Sequence, residues 1–90
     1  MKHFVYIIEC INGAYYTGYT TDITRRYNEH QTGSDKCRYT RSFPPKQLLL
    51  TLTFETKSAA LKKEAELKKL SRHKKIQLIK QMENNHDKIN

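Results

Sequence analysis

The feature that most narrows the possible folds is the run His3 to Ile11, which is apolar on both faces when read as a strand. Phe4, Tyr6, Ile8 and Cys10 point one way, and Val5, Ile7 and Glu9 point the other. Such a strand needs cover on both sides. Asn12-Gly13, the strongest turn dipeptide in the chain, follows it, and Ala14 to Tyr19 returns as a second strand.

The remaining elements follow from caps and periodicity. Thr20, Thr21 and Asp22 supply N-cap chemistry, and Ile23, Arg26, Tyr27 and His30 recur at helical spacing until Gly33. Ser34 to Pro45 reads as an irregular basic loop closed by Pro44-Pro45. Lys46 to Glu55 alternates as a third strand, with Leu48, Leu50, Leu52 and Phe54 on one face and Thr51 and Thr53 on the other. Lys57 to Leu70 is a helix, and Ser71 caps another that runs to about Met82. The order is β-β-α-β-α-α. It predicts an α/β fold of the α+β type, one domain over residues 1–83 with a frayed tail at 84–90.

Size and charge set the function classes. A chain of 90 residues has room for one core only. Two cysteines make no disulfide framework, metal-type Cys/His spacing is absent, and no apolar run approaches the ~20 residues of a membrane span. These features point to a reduced, cytoplasmic setting and no membrane role. The formal net charge is +8, and residues 57–90 hold ten basic groups against four acidic ones. With Lys36, Arg38, Arg41 and Lys46 in the basic loop, this is the electrostatic footprint of a polyanion binder. A solubilising surface is the alternative.

Two polar groups stand on faces that should be apolar. Arg26 and His30 share the stripe of Ile23 and Tyr27; an Arg there either snorkels at the sheet edge or serves a site. At about 100° per residue, Glu64 falls among Ala60, Leu61 and Leu67. An inward carboxylate needs a partner, either Arg26 as a structural ion pair or a metal ion facing a basic cleft. The tyrosines Tyr6 and Tyr16 share a face only if the hairpin loop has three residues, Ile11-Asn12-Gly13. A two-residue loop separates them, and aromatic core packing accounts for either tyrosine alone.

Together these residues resemble the GIY-YIG nuclease domain, most closely its small stand-alone bacterial members. The pattern reads Phe4-Val5-Tyr6, then Tyr16-Thr17-Gly18, then Arg26 with His30 four on, Lys36 to Arg41, Glu64, and Lys68 to Arg72. It covers residues 3 to 80. Phe4, Val5 and Thr17 depart from the family triplets without removing a catalytic group.

The resemblance implies a three-stranded antiparallel sheet flanked by helices. It also implies hydrolysis of a phosphodiester in DNA or structured nucleic acid, DNA ahead of RNA, with a role in DNA repair or recombination. On that resemblance Tyr6 is the general base or a water-positioning group, Tyr16 helps organise the attacking water, and Arg26 stabilises phosphate charge with help from His30. Glu64 would hold a single divalent ion, Mg²⁺ or Mn²⁺, weakly in the absence of substrate. Gly18 would let the backbone approach closely, and Lys36, Arg38, Arg41, Lys46 and Lys68 would contact the nucleic acid. Larger family members choose their target with a second domain. This chain has no room for one, which leaves unspecific action or a protein partner that supplies specificity. Two other readings compete: a non-catalytic nucleic-acid-binding module and a domain that delivers a partner to DNA. If Tyr6 and Tyr16 reach one cleft, the loop has three residues and Gly13 takes positive φ.

Overall fold

Three strands form one antiparallel sheet in the order β2-β1-β3, with β1 at His3–Cys10, β2 at Tyr15–Thr20 and β3 at Pro45–Phe54. The computed structural model describes residues 1–35 and 37–89, with side chains described as far as residue 82. The strand that is apolar on both faces lies in the centre, as its composition demands. Val5, Ile7, Ile8 and Cys10 are wholly buried. On one face Val5 and Ile7 pack with Ala60, Leu67 and Ile79. The first two belong to α3 (Lys57–Lys68), and Ile79 belongs to α4 (Arg72–Ile89). On the other face Tyr6, Ile8 and Cys10 pack with Tyr16 and with Ile23 and Tyr27 of α1 (Ile23–Thr32). Each large aliphatic side chain so buried contributes about 1.5–3 kcal/mol.

The hairpin takes the longer of its two loops. The Cys10 amide donates to the Ala14 carbonyl at 2.8 Å and the Gly13 amide to the Cys10 carbonyl at 2.9 Å, so Ile11-Asn12-Gly13 forms the loop. Gly13 sits at φ 85°, a left-handed conformation that glycine adopts without strain. The register then pairs Ile8 with Tyr16 and Tyr6 with Gly18. Side-chain oxygens cap three helices. Asp22 accepts from the Arg25 amide, Thr56 from Ala59 and Ser71 from Lys74. Gly33 closes α1 at φ 70°.

Three features differ from the expectation. The pairing of β1 with β3 shifts between Ile7↔Leu50 and Ile8↔Leu48, leaving Leu49 as an extra residue. This bulge sends Leu49 into the core with Leu50, Leu52 and Phe54 and turns Leu48 to the opposite face. There Leu48 lines a groove with Ile23 and Tyr27. The basic loop is not wholly irregular, because Arg38–Ser42 forms a short helix, α2. The last helix runs on to Ile89, past the expected end near Met82. Among the described residues, no helix is long and apolar enough to cross a membrane.

Candidate active site

Strand β1 presents Tyr6 to the α1 face of the sheet, where only 1% of it is exposed. Its neighbour across β2 is Gly18, and a Cβ there would overlap the phenol oxygen and ring of Tyr6. Any larger residue at 18 must displace the phenol. Helix α1 brings Arg26 and His30, one turn apart, over the same point. The His30 ring is completely buried, and its Nε2 lies 2.9 Å from the Tyr6 hydroxyl. Arg26 sets its charge beside the Tyr6 phenol and donates to Glu29 at 3.1 Å. Tyr16, opposite Ile8, packs edge-on against His30 with ring centres 5.2 Å apart.

Thr40 of α2 completes the arrangement. Its hydroxyl lies 2.6 Å from His30 Nδ1 and donates to the Cys37 carbonyl at 3.3 Å. A threonine hydroxyl has one proton. With that proton on Cys37, Thr40 accepts from His30 Nδ1–H, so Nε2 carries the lone pair and accepts from Tyr6. In that arrangement the protons run in one direction from Tyr6 through His30 and Thr40 to the Cys37 carbonyl. Burial, reinforced by the neighbouring Arg26 cation, lowers the His30 pKa to about 4, so the ring is neutral near pH 7. Burial also pushes the Tyr6 phenol up to about 12 against the opposing pull of Arg26. Burial acts to lower the Arg26 pKa, but Tyr6 and Glu29 outweigh that and hold the guanidinium firmly charged.

These values limit what Tyr6 does. Ionising a phenol of pKa about 12 at pH 7 costs roughly 7 kcal/mol. Its neutral acceptor, with a pKa near 4, offers no driving force for taking the proton. Tyr6 as found is a neutral hydroxyl that fixes Arg26 and His30. It suits a positioning role better than that of a free-standing base.

Four of the expected catalytic residues, Tyr6, Tyr16, Arg26 and His30, thus come together. Glu64 stands apart. It lies on α3, which packs on the Val5 and Ile7 face, and among the described residues its one ion pair is with Lys68 at 3.4 Å. The inferred pair with Arg26 is not formed. Glu64 is still inward-leaning, with its side chain 18% exposed, whereas Leu61 beside it is largely outside the core. No group of three or more His, Cys, Asp or Glu among the described residues is placed to hold a metal. A pre-built cage is therefore not present there. One hard carboxylate does match a Mg²⁺-type site that relies on water and substrate phosphate for its other ligands.

The expected nucleic-acid contacts are spread along the surface. Arg38, Arg41, Lys46 and Lys68 are exposed, and Gly18 is buried behind Tyr6. Lys36 lies outside the described residues. Arg41 reaches Asp35 at 2.6 Å. Cys37 and Thr40, three residues apart within the stretch Lys36 to Arg41, are both buried, and a single helical turn is too short a pattern to mark them in the sequence.

Known proteins resemble this chain over most of its length. The model of the GIY-YIG catalytic domain matches residues 2–77. A UPF0213 protein of Halalkalibacterium halodurans is 48% identical over 79 residues, covering 88% of this chain and 83% of its own. One from Halobacterium salinarum is 51% identical over 77 residues, covering 86% and 99%. The solution NMR structure of an E. faecalis protein superposes with a TM-score of 0.64 at 38% identity, over 92% of this chain and 88% of that one.

Proposed function

The chain belongs to the GIY-YIG family, a nuclease superfamily, and from that premise we propose that it is a divalent-metal-dependent endonuclease acting on DNA. The observation that carries this reading is the convergence of Tyr6, Tyr16, Arg26 and His30 from β1, β2 and α1 at one point. Phosphodiester hydrolysis needs a placed water, neutralised phosphate charge and a stabilised leaving oxygen. Arg26, held charged by Tyr6 and Glu29, neutralises a phosphate oxygen. Tyr16, at the outer side of His30, orients the attacking water. Tyr6 and His30 lock the guanidinium and the Tyr16 ring in place. Glu64 would hold the divalent ion, which when bound supplies charge stabilisation at the reacting phosphate. Lys46, Lys68 and the basic segment carrying Lys36, Arg38 and Arg41 follow the flanking phosphates. Two free, buried cysteines suit a reduced cytoplasmic compartment. A protein partner would supply target choice, and repair or recombination is the setting that fits such an activity.

A non-catalytic nucleic-acid-binding module is the second reading, favoured by the tightly held Tyr6 proton and by the pairing of Glu64 with Lys68. Plasmid, nicked and branched DNA incubated with Mg²⁺ or Mn²⁺ separates the two. The nuclease reading expects cleavage by the wild type and at least a hundredfold loss in Arg26→Ala, of the order seen when one transition-state donor is removed. Equal cleavage by both proteins would point to a contaminant. Binding without cleavage would favour the module.

A further inference from the structure

We propose that Tyr39 and Phe43 form a base-stacking subsite beside the catalytic cluster and take an unpaired nucleobase from a single-stranded stretch of DNA. The proposal deepens the nuclease reading and rests on it for the identity of the ligand. Its basis is a run of aromatic rings that starts in the core and ends in solvent. His30 meets Tyr16 edge-on at 5.2 Å, Tyr16 stacks on Tyr39 at 5.9 Å and 19°, and Tyr39 meets Phe43 at 5.4 Å and 44°. The first two rings belong to the site. The last two pack into neither hydrophobic core, and each is 40% exposed.

These outer rings are held in position. Asn12 donates to the Tyr39 hydroxyl at 3.2 Å, and the Phe43 amide donates to the Tyr39 carbonyl at 3.0 Å. The Ile11 amide donates to the Pro44 carbonyl at 2.9 Å, which ties the segment after Phe43 to the hairpin loop. Thr40, buried against His30, anchors the turn between the two rings. Each ring joins neither core and keeps two-fifths of its surface in solvent, which leaves a face free to stack. Such a face suits a ligand that has a π-face of its own.

Charge selects the ligand. The rings alternate with basic residues, and Arg38 is exposed with no ion pair among the described residues. A polyanion that carries flat rings fits this surface better than a neutral or basic partner does. Base stacking on aromatic side chains is tolerant of sequence and needs bases freed from the duplex stack.

The test is fluorescence anisotropy with a labelled single-stranded 12-mer, the same strand with abasic sites, and a blunt duplex, all in EDTA. Phe43→Ala should weaken binding of the intact strand by about 5- to 100-fold. It should leave the abasic strand and the duplex unchanged. Phe43→Leu, which keeps apolar bulk but loses the π-face, should behave like the alanine variant, and Phe43→Trp should bind like wild type. If Phe43→Leu binds the intact strand as tightly as wild type, or the abasic strand binds wild type as tightly as the intact one, the subsite does not exist. Because no metal is present, the result is independent of cleavage. Loss of Phe43 dependence counts against the subsite alone, and absence of cleavage with Phe43 dependence intact counts against the nuclease alone.

Discussion

His30 has one proton to place and two partners to satisfy, and its neighbours decide the placement. With the Thr40 proton on the Cys37 carbonyl, the ring donates from Nδ1 and accepts at Nε2. A charged ring would have to donate at both nitrogens beside Arg26. The folded-state pKa near 4 lies below the ordinary 6.5, so the unfolded chain binds the extra proton first as pH falls. The stability involved is fully present above about pH 6.5 and is lost as pH drops through 4, by about 3 kcal/mol in total. Urea unfolding at pH 7, 5.5 and 4 should reveal that loss in wild type and a correspondingly smaller one in His30→Gln. Parallel pH profiles would mean that His30 is not the group responsible. Gly18→Ala belongs to the same scale. Its Cβ would collide with the Tyr6 phenol, so the variant should lose about 1–3 kcal/mol by overpacking. Its crystal structure should place the hydroxyl away from His30.

Elements were legible in proportion to their length and the strength of their caps. The hairpin, α1 and α3 carry period-2 or period-3.6 patterns long enough to read, and Asp22 and Ser71 mark the starts of α1 and α4. Asn12-Gly13 by itself left two registers open. Only the requirement that Tyr6 and Tyr16 share a cleft selected the one observed. The Leu49 bulge was invisible because Leu48, Leu49 and Leu50 are identical residues, and either face could claim them. Helix α2 was missed because five residues are too few to establish a period. That omission hid Thr40, the acceptor that orients His30. Thr40→Val is close in shape but cannot accept from His30 Nδ1. It should cost about 1–3 kcal/mol, the penalty for a buried donor left unsatisfied. Amide exchange across residues 38–42 should speed up with it, whereas unchanged exchange would mean that α2 is held by other contacts.

Across the whole molecule, the Tyr6–His30 cluster and the basic helices pack on opposite faces of one sheet. Arg72, at the start of α4, donates to the Gly13 carbonyl at 2.9 Å and covers the Tyr15 ring, which ties the second half of the chain to the hairpin loop. Binding should depend steeply on salt. Replacing Arg38 and Lys46 with glutamate should flatten the slope by about two phosphate contacts, and an unchanged slope would put the nucleic acid on another face. Glu64 is where the layers must cooperate, since it lies across the sheet from Arg26 yet is assigned to the same reaction. Its ion pair with the exposed Lys68 is an i, i+4 surface pair worth at most about 0.5 kcal/mol. Glu64→Gln should therefore melt with the wild type. The most direct measurement of the central claim is cleavage of a nicked and branched DNA panel in Mn²⁺ by wild type and Glu64→Gln, with binding measured alongside. The account predicts cutting by wild type only, with equal binding and equal melting temperatures. Full cleavage by Glu64→Gln would contradict it.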